Sequence, residues 1–241
     1  MNATRCTRAP VVLSCAVMMA AATACTQRAA LVEFDERGPY EFPPAERRFI
    51  EEIATDAYSD AARLLPSLPP DVVVRVSAGS NVVERTGAAA SVVGRRMVHW
   101  TVDPNRPGGV TATARAHLRP TLFHEFHHLA RGIGTGRMPT RTLMDAVVHE
   151  GLATAFERDF AGVTYPWAEY PPDVDVWLGE LMDQPAGASR DEWMIRHRDG
   201  RRWIGYRAGA YMVDRAIAAS GFSAAELVSV PPADIVRLAL R

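Results

Sequence analysis

The chain has 241 residues, 48% of them hydrophobic, enough for one globular domain with its own core. A formal net charge of -1 excludes the basic footprint that nucleic-acid binding needs. All 27 basic residues are arginine, and the three cysteines, Cys6, Cys15 and Cys25, lie at the N-terminal end, so neither a disulfide framework nor a cysteine-held metal is available to the rest.

The first element reads as a targeting segment. Arg5 and Arg8 precede an apolar run over 9–24 that is too short to read as a spanning helix. The run ends Ala22-Thr23-Ala24-Cys25, which resembles the lipobox of bacterial lipoproteins, although Leu is commoner than Ala three positions before the cysteine. The resemblance implies a signal over 1–24, a lipid on Cys25, and association with the cell membrane outside the cytoplasm through that lipid. Plain secretion with cleavage near Ala24 and an uncleaved anchor are the alternatives. Loss of 1–24 removes Arg5 and Arg8 and no acid, so the net charge moves from -1 to about -3.

Residues 25–45 hold Gly38-Pro39 and Pro43-Pro44 without periodicity and read as a tether, which leaves 46–241 as a single domain. Phe49, Ile50, Ile53, Ala57, Ala61 and Leu64 fall at helical spacing and predict a helix over 45–65, stopped by Pro66. The β-branched run 71–77 predicts a strand, 82–84 a weaker one, and the alternating 91–103 another. The stretches 87–90 and 104–109 read as breakers or loops. After about residue 112 the pattern is mostly helical, and a small sheet followed by helices predicts an α+β fold.

The helix predicted over 120–131 carries His124-Glu125-Phe126-His127-His128. Pro120 suits a first turn, and Arg131, Gly132 and Gly134 mark the end. Residues four apart on a helix lie one turn above each other, so His124 and His128 can bind one ion. Glu125 stands beside them, outside the ligand pair. Zinc draws the pKa of a bound water toward 7, and a neighbouring carboxylate can take its proton, which is the chemistry the H-E-x-x-H pattern serves. Two histidines leave a catalytic zinc one protein ligand short.

A second helix, over 140–160, has a core stripe of Leu143, Val147, Leu152, Ala155 and Phe156. Within it Glu150 is an anion in an apolar surround that needs a partner. His149 competes as third ligand but points about 100° away from its neighbour. Asp145 reads as a cap or as a hydrogen-bond acceptor behind the ligands. Of the other histidines, His127 reads as facing solvent or a loop, His99 as a strand residue, and His117 as a loop residue near the cleft. Trp167, Tyr170, Trp177 and Trp193 lie among prolines and acids, where they shape a groove or pack a cover.

The run His-Glu-Phe-His-His followed by His-Glu-Gly-Leu-Ala resembles the gluzincin metallopeptidases, and more narrowly the bacterial DUF2268 family of predicted zinc-dependent proteases. That family's third motif is present as Gly205-Tyr206-Arg207-Ala208-Gly209-Ala210-Tyr211-Met212-Val213, and the resemblance spans about 70–220. It implies a zincin-like fold, a small twisted sheet packed on the helix of His124 and His128. It also implies His124, His128 and Glu150 as zinc ligands and Glu125 as general base. Related proteins often carry a carboxylate four residues after the ligand glutamate; here that position is Thr154, which supplies no charge to orient a histidine. Tyr206 is the first candidate for an oxyanion donor, with Tyr211, His197 and Arg207 as alternatives and plain helix packing as its simpler role.

The function expected is zinc-dependent hydrolysis of peptides or proteins outside the cytoplasm. The strand around 92–102 would be the edge that pairs with an extended substrate. A non-catalytic metal-binding lipoprotein acting as an interaction module, and a zinc esterase or amidase on the same fold, are the other readings.

Overall fold

Alternation of apolar and polar residues builds the sheet. In the computed structural model, which describes residues 30–185 and 187–241, four strands lie in the order β1-β2-β4-β3: β1 (Leu31–Phe34), β2 (Val73–Ala78), β3 (Ala88–Val93) and β4 (Met97–Val102). β1, β2 and β4 are parallel, while β3 runs antiparallel to β4 at the edge. Val74, Val76, Val98, Trp100 and Val102 are fully buried on one face. On the other, Arg75 donates to Glu33 at 2.8 Å and Ser77 Oγ bonds His99 Nε2 at 2.8 Å, so His99 is a strand residue far from any ligand role. The expected signal over 1–24, the lipid site Cys25 and residues 26–29 lie outside the described residues.

Two strand expectations are corrected. Leu31–Phe34, read as tether, pairs with β2. The helix α1 (Pro44–Leu64) is the crossover that parallel pairing requires, and a four-residue edge strand is too short to show a period. The single strand expected over 91–103 is a hairpin. Gly94 turns it at φ 64°, and 88–90, read as a breaker, belongs to β3. Three successive alanines have low strand propensity; their pairing with β4 decides. Of 82–84 only Val83 makes a bridge, to Ala88.

α2 (Gly109–Thr113) runs through a π turn (Ala114–Leu118) directly into α3 (Arg119–Arg131). Pro120 has no N–H for the carbonyl of Ala116, and its ring crowds that group; the widened turn relieves both. His117 is therefore on this helix rather than in a loop, with Nδ1 2.8 Å from the Tyr165 hydroxyl. α3 ends at Gly132, whose left-handed backbone lets its N–H reach the carbonyls of His128 and Leu129. Phe126 on α3 meets Tyr58 on α1 edge-on at 5.8 Å, tying the crossover helix to the helix of the motif.

α4 (Leu143–Ala161) starts with a reciprocal capping box between Thr142 and Asp145, so Asp145 is spent as a cap. The helix α7 (Ile204–Ser220) crosses it closer than side chains allow. A Cβ on Gly151 would stand 2.4 Å from the carbonyl oxygen of Gly209, and one on Gly209 would stand 2.4 Å from that of Val147. The glycines of the second and third motifs are this contact. It sets Glu150, one residue before Gly151, near Tyr206, one turn before Gly209. α5 (Val174–Met182), α6 (Arg190–Met194) and α8 (Pro232–Ala239) complete a mostly helical C-terminal half, and the architecture is α+β.

Candidate metal centre

α3 is buried over most of its length, so its polar residues need partners inside the protein. His124 Nε2 lies 3.1 Å from His128 Nε2 and 3.1 Å from Glu150 Oε2, and His128 Nε2 lies 3.3 Å from the same oxygen. A tetrahedral zinc with bonds of about 2.0–2.1 Å separates its ligand atoms by about 3.3–3.4 Å. The three atoms thus form a triangle of the size that a zinc ion spans. Two imidazole nitrogens and a carboxylate oxygen turned toward one point repel unless a cation or a proton lies among them. Glu125 and Glu157 crowd the same cleft, so three carboxylates surround two histidines, a charge balance that suits a divalent cation.

The titration directions express the same crowding. Burial alone would depress the His124 imidazole, but Glu150 and Glu157 hold it well above its usual range. Burial would raise Glu150, and the two histidines pull it below the usual carboxylate range. Glu125 is raised, chiefly by burial, against the pull of His128 and His124.

Glu157 is the residue that sequence reasoning missed. Its Oε2 lies 3.4 Å from His124 Nδ1, with 4% of the side chain exposed. A carboxylate only accepts, so an Nδ1–H turned to Glu157 would leave the Nε2 lone pair free for a cation at the centre. Glu157 follows Glu150 by seven residues, two turns along the same face of α4, and that spacing is its signal. The Thr154 hydroxyl, at the position where a carboxylate was sought, is fully buried and has no hydrogen-bond partner.

The other histidines of α3 and α4 serve packing. His127, expected to face solvent or a loop, is fully buried and donates from Nε2 to the Ala224 carbonyl at 3.2 Å. That face of α3 is covered by the C-terminal segment, which lies far away in sequence. His149 accepts from Arg131 Nε at 2.7 Å through Nδ1, and burial, with Arg131 beside it, lowers its pKa to about 4. It is turned to a buried arginine rather than to the triangle.

Glu125 and Tyr206 line both lobes of the cleft over the triangle. Burial, then the charges of Glu150 and Glu125, hold the Tyr206 phenol well above its usual range, so it keeps its proton. The alternatives lie elsewhere. Tyr211 donates to Asp175 at 2.7 Å, His197 sits 2.9 Å from the Asp199 carboxylate, and Arg207 lies over the Trp177 ring at 5.6 Å. Trp177 and Trp193 are buried, Tyr170 bonds Asp214 at 3.1 Å, and Trp167 is the expected groove aromatic that reaches the cleft.

Two helices of an α+β fold thus converge a histidine pair and a glutamate fit to hold a metal, beside a further carboxylate in an open cleft. Residues 109–237, more than half of the chain, match the family described as predicted Zn-dependent protease (DUF2268), and the chain belongs to that family. No curated protein and no solved structure was found to be similar to it.

Proposed function

We propose that the protein is a zinc peptidase that works outside the cytoplasm, with His124, His128 and Glu150 as ligands and Glu125 as general base. The triangle of ligand atoms beside the outer edge of β3, which among the described residues is bridged only at Ala88, carries this reading. Ala88, Ala89 and Ala90 all line the cleft although successive strand side chains point to opposite faces, so it is the edge of β3 that meets the cleft. Such an edge offers backbone groups to an extended peptide, which favours a peptide over a small ester or amide.

Bound zinc supplies a Lewis acid and an acidified water. Glu125 accepts the proton of the attacking water and passes it to the leaving amine. Tyr206 keeps its proton and donates to the carbonyl oxygen as negative charge builds there. Glu157 holds His124 in the ligand tautomer. The extracytoplasmic setting rests on the resemblance of 22–25 to a lipobox. In Glu125→Gln, zinc should stay bound and turnover should fall by about 10²–10⁴; hydrolysis at the wild-type rate in that variant would sink the mechanism.

A further inference from the structure

We infer that the cleft selects peptides with an aromatic or long apolar side chain next to the scissile bond, and that Trp203 sets this preference; the inference rests on the peptidase reading above. One lobe of the cleft, ≈ 150 Å³, is walled by Val83, Ala88, Trp167, Ile195 and Trp203 and opens beside His124 and Glu125. A cavity of about that volume takes up benzene, so a phenylalanine or leucine side chain fits. Val83 and Ile195 are 36% and 48% exposed, and both are among the few large apolar residues on the surface. An apolar rim on a lobe beside the scissile position is what an apolar side chain needs on entry.

Trp203 supplies a second, independent observation. It is the one non-glycine among the described residues with a positive φ, 57° with ψ 35°. That region disfavours a bulky side chain and belongs to glycine by default. The conformation is held from both sides: Trp203 N–H donates to the Ile195 carbonyl at 3.2 Å, and its own carbonyl accepts from Arg207 N–H at 2.9 Å. A glycine would meet the same backbone demand without strain. What tryptophan adds is an indole on the lobe wall, set against Trp167 at 5.6 Å. The other lobe, ≈ 390 Å³, mixes Val92, Ile133 and Met194 with Thr140, Arg190 and Asp191, and has no tryptophan or phenylalanine on its wall. The tryptophan wall therefore belongs to one side of the scissile bond.

The test uses the zinc-loaded protein and internally quenched peptides that differ in one residue beside the cleaved bond, Phe, Leu, Ala or Arg. Phe and Leu peptides should exceed Ala and Arg peptides in kcat/KM by about tenfold or more. Trp203→Gly, which suits the left-handed backbone and so keeps the fold, should shrink that ratio to within about threefold. Binding of the same peptides to Glu125→Gln by calorimetry supplies a readout without turnover, and the order of affinities should match. If nothing is cleaved but Phe and Leu peptides bind tighter and Trp203→Gly removes the difference, the apolar preference of the Trp203 lobe stands and the peptidase reading fails. Cleavage with Ala or Arg equal or better, an unchanged ratio in Trp203→Gly, or no peptide binding at all would overturn the inference.

Discussion

Replacing Glu157 with glutamine separates charge from shape at the support of His124. The amide has nearly the volume of the carboxylate, so packing along α4 is kept. What disappears is the negative charge 3.4 Å from His124 Nδ1, in a place where only 4% of the side chain sees solvent. There the charge acts at low dielectric and fixes both the tautomer and the tilt of the ring. Outer partners of this kind are worth about 10–100-fold in metal affinity, which is about 1.4–2.7 kcal/mol of zinc binding. Competition against a chromogenic chelator near neutral pH reads the constant directly. Glu157→Gln should still bind one zinc, 10–100-fold more weakly by the same rule. A constant within about twofold of the wild type would show that His124 is held without Glu157 and would refute the reasoning.

Three further outcomes follow from the same geometry. Thr154→Val should leave zinc affinity within about twofold and stability equal or higher, because the buried hydroxyl has no partner to lose; a large loss of zinc would return Thr154 to the support of the ligands. Gly209→Ala should destabilise in urea by about 1–3 kcal/mol in spite of the helix propensity it gains. Its Cβ would stand 2.4 Å from the Val147 carbonyl oxygen, so α4 and α7 would have to part, and a neutral or stabilising result would contradict the close crossing. Removing metal with a chelator should lower Tm. Zinc at about 100 times its Kd contributes about 2.7 kcal/mol, which is about 5–10 °C for a domain of this size; an unmoved Tm at saturating zinc would argue against a site in the folded state.

How legible the molecule was in its sequence depended on the range of the forces involved. α3 and α4 are long apolar segments with local end signals at Gly132 and at Thr142 with Asp145, so Leu143, Val147, Leu152 and Phe156 lie in the core, although α4 is buried on nearly every face rather than along one stripe. The four-residue β1 and the alanines of β3 are strands only because of their neighbours across the sheet, which no local pattern encodes. His127 is buried by the turn that carries Ala224, almost a hundred positions away, so local pattern leaves solvent and a neighbouring loop as alternatives and only the fold selects the loop. Glu157 is legible in its two-turn spacing from Glu150, seven residues along the same face of α4. The left-handed backbone of Trp203 has no sequence signal at all, since tryptophan is among the residues least expected there.

The central claim is that His124, His128 and Glu150 hold one zinc. Metal analysis of the purified protein tests it, beside Glu125→Gln and Glu150→Ala. One zinc per chain in the wild type and in Glu125→Gln, with loss of tight binding in Glu150→Ala, is the predicted result. A wild-type protein without zinc after exposure to it, or a Glu150→Ala protein that binds as tightly as the wild type, would contradict it.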